Sequence, residues 1–389
     1  MMAAQRYDSI VVGLGGMGSA ALYHLARRGD RVLGLEQFDI PHAMGSSHGV
    51  TRIIRLAYFE HPSYVPLLRR AYELWRELET RAGEPLLIIT GSIDAGPEDG
   101  TVVPGALRSC AEHDLPHEVL SAAELHRRFP GYCLPDDIQA VFQPEGGFLR
   151  SEQCIVAHVM AAAAHGAEVH GREPVTAWEA LPGGAVRVRT ARGTYEAERL
   201  VLTAGAWASR LVKELQGLAV PERQVLIWMQ PRRPELFTPE RFPVFNMEVP
   251  EGHFYGFPVY GIPGFKFGLY HHLGEVVDPN TMDREAFTPR DEEVLRSAAE
   301  RYFPDAAGPT TALKACMFTN SPDEHFIIDH HPDYPQVTVA AGFSGHGYKF
   351  CSVVGEILAD LSREGTTRHD IGLFRLDRFA NAERPAPSA

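Results

Sequence analysis

A chain of 389 residues exceeds one typical core, so two domains are expected, and a hydrophobic content of 44% is enough to fill both. The net charge of −13 repels polyanions and excludes nucleic acid and anionic membrane surfaces as bulk partners. No apolar run reaches the roughly 18 residues of a transmembrane helix, and Met1 to Arg6 meets the first strand without an apolar leader segment, so the expected location is the cytoplasm. Cys110, Cys133, Cys154, Cys316 and Cys351 are scattered and odd in number and contain no C-x-x-C pair, so neither a disulfide framework nor a thiolate metal site is indicated.

The chain is organised around Tyr7 to Glu36. Ser9-Ile10-Val11-Val12 is a short β-branched run that passes directly into Gly13-Leu14-Gly15-Gly16-Met17-Gly18, a G-x-G-x-x-G. Ala20, Ala21, Tyr23, Leu25 and Ala26 then fall on helical faces, Gly29 closes the helix, and Val32-Leu33-Gly34-Leu35 is a second buried strand ending at Glu36. In such a βαβ unit the first glycine makes the tight turn, the second admits a pyrophosphate, and the third lets the helix pack on the strand. Glu36 is placed to accept hydrogen bonds from the hydroxyls of an adenosine ribose, and its charge would repel a 2′-phosphate. FAD and NAD both remain compatible with this unit.

Phe38 to Arg55 is too polar and glycine-rich for core, and it carries Arg52 and Arg55 on either side of Ile53-Ile54. In an extended segment the two arginines point to opposite faces, so one can address a cofactor and the other a substrate. Tyr64 to Leu78 is amphipathic with helical periodicity. Leu86 to Ile93 reads as one strand, the Pro/Gly-rich piece to Gly105 as a domain change or long surface loop, and Ala122 to Phe129 as a short helix. Ser151 to His165 reads as a capped helix, followed by a strand from Ala167 to His170 and a hairpin of Val186–Thr190 with Thr194–Ala197. Leu200-Val201-Leu202 is a buried run leading to Gly205. Val220 to Arg290 has antiparallel-sheet character, and Glu292 to Phe303 is a helix. A last strand, Gly-rich turn and helix run from Val337 to Leu361, and the helix N-terminus can place partial positive charge near an anion. The polar, Pro-rich tail from Arg384 is expected to be disordered.

Several stretches together are similar to the monomeric sarcosine oxidases, within the flavin-dependent amine oxidases that include N-methyltryptophan and pipecolate oxidases. They are the first glycine turn, Gly45-Ser46-x-His48-Gly49-x-Thr51-Arg52-Ile53-Ile54-Arg55, Tyr255-Gly256-Phe257-Pro258, Cys316-Met317, Ser321 to Asp329, and Ala341 to Phe350 with its Gly345-His346-Gly347-Tyr348-Lys349. The resemblance covers nearly the whole chain. It implies a mixed α/β fold in which a Rossmann-type FAD-binding domain (1–90, 150–220 and 310–389) is interleaved with a substrate domain on an antiparallel sheet (91–149 and 221–309).

The resemblance implies FAD bound through Gly13, Gly15, Gly16, Met17, Gly18, Glu36, Ser46, His48, Thr51, Arg52, Gly345, His346, Gly347 and Lys349. It also implies a thioether from Cys316 to the methyl carbon at flavin position 8. Arg55 and Lys349 would clamp a substrate carboxylate, Tyr255 would face the substrate, and Lys266 would lie over the flavin edge where oxygen is activated. The implied partners of a monomeric enzyme are a secondary amino acid and O2, the products being an amine, formaldehyde and H2O2. A cyclic or bulkier substrate, or a dehydrogenase with another acceptor, are the alternatives. One departure stands out. In similar proteins a sheet histidine follows the flavin-edge lysine by four residues, whereas here Tyr270 holds that place and His271 and His272 follow. Matching the Tyr-His pair favours His271 with a bulge, strict alternation favours His272, and His271 is the expected catalytic histidine.

Overall fold

The computed structural model describes residues 5–380, which form a mixed α/β molecule on three sheets. The tail from Arg384 lies outside these residues. At the centre of the first sheet, Gln5–Val12 runs parallel to Val32–Leu35 on one side and to Thr194–Leu202 on the other. The helix Gly16–Arg27 connects the first two and packs between the helices Ser151–Ala164 and Cys351–Glu364. The hairpin return at Thr194 and the buried run at Leu200 are one continuous strand. Its polar first half pairs with Val186–Thr190 near the surface, and its fully buried second half runs parallel to Tyr334–Ala341.

The second sheet is largely antiparallel and contains Val220–Met229, Val244–Val249, Gly252–Phe257 and Phe265–Leu269. Thr310–Asn320 pairs antiparallel with Val220–Met229, so the strand that carries Cys316 is an edge of this second sheet.

Three local expectations are corrected. Leu86 to Ile93 is not one strand: at Gly91 (φ 75) the chain leaves the three-stranded sheet, where Leu87–Ile89 lies, and Ser92–Gly96 enters the second sheet. The Pro/Gly-rich piece contains the start of a helix, Val102–Glu112. Pro104 occupies its first turn, where backbone N–H groups have no intrahelical acceptor. Gly105 lets this helix lie directly on Phe59, because a Cβ there would come within 2.3 Å of the Phe59 carbonyl oxygen. Finally, Ser151 does not cap its helix, since Arg150 is the N-cap residue and supplies no side-chain cap. The first-turn Glu152 instead accepts hydrogen bonds from the Gly49 and Val50 N–H groups, tying the glycine-rich loop to this helix.

Candidate active site

A cavity of about 370 Å³ runs from the glycine turn to the face of the second sheet. Gly13, Gly15, Gly16, Met17 and Glu36 line its first end. Gly18 lies behind them. A Cβ on Gly18 would sit 1.7 Å from the Gly13 carbonyl oxygen, so the helix could not pack so close to the turn with any side chain there. Both Glu36 oxygens already accept from backbone, one from Leu14 N–H at 2.8 Å and the other from Phe38 N–H at 3.0 Å. A carboxylate offers about four acceptor positions, so a ribose can still be held.

Ser46, Arg52 and Cys316 line the middle of the cavity. Arg52 Nη2 donates to the Ser46 carbonyl at 2.7 Å and lies 3.7 Å from Cys316 Sγ. Burial pushes thiols up, as at Cys110, which reaches about 12. Burial acts on Cys316 in the same direction, but the neighbouring His48 and Arg52 outweigh it and bring the thiol down to about 7. His48 is itself buried, with no hydrogen-bond partner for Nε2 among the described residues.

At the far end the chain brings together Arg55, Gly345, His346, Gly347 and Lys349. Arg55 lies just past the end of the strand Thr51–Ile54, so strand alternation no longer governs it, and both arginines face the cavity, Arg52 at its middle and Arg55 at its far end. The Arg55 guanidinium carbon and Lys349 Nζ lie 4.5 and 5.2 Å from the centroid of one ring, Tyr58. Tyr58 is held by its OH on His346 Nδ1 at 2.6 Å and by Ser109 donating to its carbonyl. His346 Nε2 faces the Glu324 carbonyl at 2.9 Å and therefore carries the ring proton, leaving Nδ1 to accept from Tyr58. Lys349 Nζ donates to the His346 carbonyl at 2.9 Å.

Two acidic residues that the sequence reading missed complete this cluster. Glu60 takes Arg55 Nη2 on both oxygens, at 3.0 and 2.8 Å, and Asp94 Oδ1 lies 3.5 Å from Arg55 Nε and accepts from Asn246. Burial pushes the Glu60 carboxyl up, but Arg55, His346 and Lys349 outweigh it and hold it near about 2. At Asp94 burial prevails over Arg55 and raises the carboxyl to about 6. Burial and the adjacent Arg55 lower Lys349 to about 7. Glu60 follows Arg55 closely in sequence, but Asp94 reaches it only through the strand crossing at Gly91, for which the sequence carries no pairing signal.

Tyr255, Phe257 and Tyr270 form the sheet wall of the cavity. Thr51, His48 and Lys266 lie behind the lining. Lys266 Nζ donates to the Gly49 and Thr51 carbonyls, each at 2.8 Å, and to Thr51 Oγ1 at 3.1 Å. Burial, with Arg52 nearby, pushes this amine well below its ordinary value.

His271 is not part of the cavity lining, and neither is His272. The strand Phe265–Leu269 ends before them, and no bulge absorbs a residue. Tyr270 N–H still donates to the His253 carbonyl, so Tyr270 stays on the cavity side. His271 and His272 turn away at φ 58 and 40, onto Glu222 and Glu324 in one case and Asp291 in the other.

The profile of the family described as FAD dependent oxidoreductase matches residues 8–361. The chain belongs to that family. Within it, the chain is 48% identical over 383 residues to a monomeric sarcosine oxidase of Streptomyces avermitilis, covering 97% of this chain and 98% of that protein. It is 37% identical to an N-methyl-L-tryptophan oxidase of Yersinia pestis, covering 96% and 99%. Among solved structures, NikD, an unusual amino acid oxidase essential for nikkomycin biosynthesis, superposes with a TM-score of 0.82 at 26% identity, covering 96% of this chain and 98% of that one. The cavity fits the FAD of this family: the glycine turn is close-packed, Glu36 lines the cavity beside it, and His48, with its unpartnered Nε2, and the lowered thiol of Cys316 adjoin the middle of the cavity. Among the described residues no helix is long and apolar enough to cross a membrane.

Proposed function

We propose that this protein oxidises sarcosine or a related N-methyl or secondary amino acid with O2: an N-methyl substrate takes up O2 and water and releases the amine, formaldehyde and H2O2, and a cyclic one gives its imine and H2O2. The observation that carries this reading is the placement of Arg55 and Lys349 on one tyrosine ring, at the end of a cavity whose middle holds Cys316. FAD, when bound, supplies the acceptor for a hydride equivalent from the N-methyl carbon and passes the two electrons to O2. Everything else is done by the chain. Arg55 and Lys349 hold the substrate carboxylate, since charged hydrogen bonds are about twice as strong as neutral ones and a guanidinium fixes carboxylate orientation. The same two cations disfavour a protonated substrate amine, so the neutral amine that can be oxidised gains population.

Cys316 is the proposed attachment point, its lowered thiol providing the nucleophile. Lys266 is the proposed oxygen-activating group: burial lowers its amine, but three acceptors, the Gly49 and Thr51 carbonyls and Thr51 Oγ1, favour its charged form beside Phe257 of the sheet wall, and that charge favours oxygen reduction over transfer to another acceptor. A monomer in the cytoplasm belongs to the same reading, supported by the net charge of −13.

The test is a panel of sarcosine, other N-methyl amino acids, proline and pipecolate, scored for peroxide and formaldehyde. Flavin that no member of the panel reduces under anaerobic conditions would overturn the reading. Acid precipitation checks the attachment: the wild-type pellet is expected to stay yellow and the Cys316→Ala pellet to be colourless. Flavin released from both would remove Cys316 from the role.

A further inference from the structure

Tyr270 stands four residues after Lys266 and lines the cavity, and its surroundings show how firmly it is held there. Tyr255 projects from the neighbouring strand across Gly268, where a Cβ would come within 2.5 Å of the Tyr255 ring. That ring can lie flat on the sheet only because residue 268 has no side chain. Tyr270 stands edge-on to it, with centroids 5.1 Å apart at 75°. The opposite face of Tyr270 is stacked on His253 at 4.4 Å and 13°, and Phe318 closes the side at 5.7 Å. His253 is in turn blocked by the edge of Phe59, 5.1 Å away, and Phe59 is seated against the helix Val102–Glu112.

The Tyr270 ring is therefore packed on three sides by aromatic groups that are themselves held. Burial lowers His253 to about 4, so the ring that backs Tyr270 is neutral and hydrophobic across the working range. One row of rings joins Tyr270 to the clamp, since the Arg55 guanidinium carbon lies 4.6 Å from the centroid of the Phe59 ring that blocks His253, and Tyr270 and Arg55 line the same cavity. It thus carries the sheet wall toward the carboxylate clamp.

We infer that Tyr270 sets the substrate specificity, admitting secondary amino acids with no α-substituent or a very small one and excluding those with bulky side chains. The inference rests on the amino-acid-oxidising reading above and deepens it by naming the substrate class. A wall locked by stacking cannot swing aside as a free tyrosine could, and a phenol fills more of the cavity than an imidazole does. A fit differing by one methylene is worth about 10- to 200-fold in kcat/KM, so a side chain facing a fixed wall is strongly disfavoured.

The experiment compares kcat/KM for N-methylglycine, N-methylalanine and N-methylphenylalanine in the wild-type holoenzyme, Tyr270→Ala and Tyr270→His. The wild type is expected to fall by at least about 10-fold at each increase in side-chain size. Tyr270→Ala is expected to raise the ratio of N-methylphenylalanine to N-methylglycine by about 10-fold or more, and Tyr270→His, which keeps a stacked ring on His253, to raise it by less. A ratio that stays at the wild-type value in both variants, while N-methylglycine still reduces the flavin, overturns this inference and leaves the amino-acid reading intact. A wild type that prefers N-methylphenylalanine overturns it as well. Failure of every N-methyl amino acid to reduce the flavin sinks both.

Discussion

Arg55→Ala tests the site at its most heavily charged point. A carboxylate clamp placed in solvent could be removed without harm to the fold, but Arg55 is only 1% exposed and is enclosed by Glu60, Asp94, Tyr58 and Phe59. Its loss leaves Asp94, which has no exposure, and Glu60 facing each other without a cation between them. Removing one partner of such a buried pair costs about 3 to 5 kcal/mol. Unfolding entropy of about 2.1 cal/mol/K per residue over 389 residues gives about 0.8 kcal/mol/K, so the melting temperature is expected to fall by about 4 to 6 °C.

The double variant Arg55→Ala/Glu60→Gln should recover part of that loss, because the stranded charge has been removed, and the coupling is expected within about 0.5 to 3 kcal/mol. Loss of a charged hydrogen bond should also weaken an acyclic thioether acid by about 10- to 150-fold. The assays are thermal unfolding of the holoenzyme and an absorbance titration of the flavin with the acid. A variant that melts within about 1 °C of wild type refutes the buried-pair reasoning. An unchanged acid affinity refutes the clamp.

Two further predictions follow from Lys349 and Lys266. A bound carboxylate favours the charged form of Lys349, whose amine burial and Arg55 lower to about 7, so acid binding should take up a proton above that pH and weaken as pH rises. Titration of the thioether acid between about pH 6 and 9 checks this, and an unchanged slope in Lys349→Met would assign the proton elsewhere. Lys266→Met should slow reoxidation of the reduced flavin by oxygen far more than anaerobic reduction by substrate, as measured by stopped flow. Equal slowing of both would mean that Lys266 acts by holding the Gly49–Thr51 loop through its three hydrogen bonds.

The sequence made the first βαβ unit legible because its signals are local: a strand, a glycine turn that only Gly18 can close, and a carboxylate at the next strand end. The wall at Tyr270 was half legible. The exchange of histidine for tyrosine shows in the sequence, but the place of His271 depends on the strand ending at Leu269, which no propensity rule marks. Asp94 was hidden for a different reason. In the sequence it falls in the Pro/Gly-rich piece that follows Leu86 to Ile93, and only the crossing of Ser92–Gly96 into the second sheet, parallel to Val244–Val249, carries it to Arg55. Charges that meet through sheet pairing between segments far apart leave no periodic trace in either segment.

The protonation balance of this cluster separates a substrate from an inhibitor. Above about pH 7 a neutral Lys349 stands beside a charged Arg55, and Glu60 and Asp94 are both ionised. An acid without an amine brings one negative charge and draws a proton from solvent to Lys349. A zwitterionic N-methyl amino acid brings the same carboxylate together with an ammonium proton that the neighbouring cations disfavour. That proton can be given up as Lys349 gains one, so substrate binding should exchange almost no proton with solvent where acid binding takes one up. Calorimetric titration in two buffers of different ionisation enthalpy, using the thioether acid and a slowly oxidised N-methyl amino acid under anaerobic conditions, measures both numbers. Equal proton uptake for the two ligands would show that the amine keeps its proton on binding, and would place its deprotonation in a later step at a group other than Lys349.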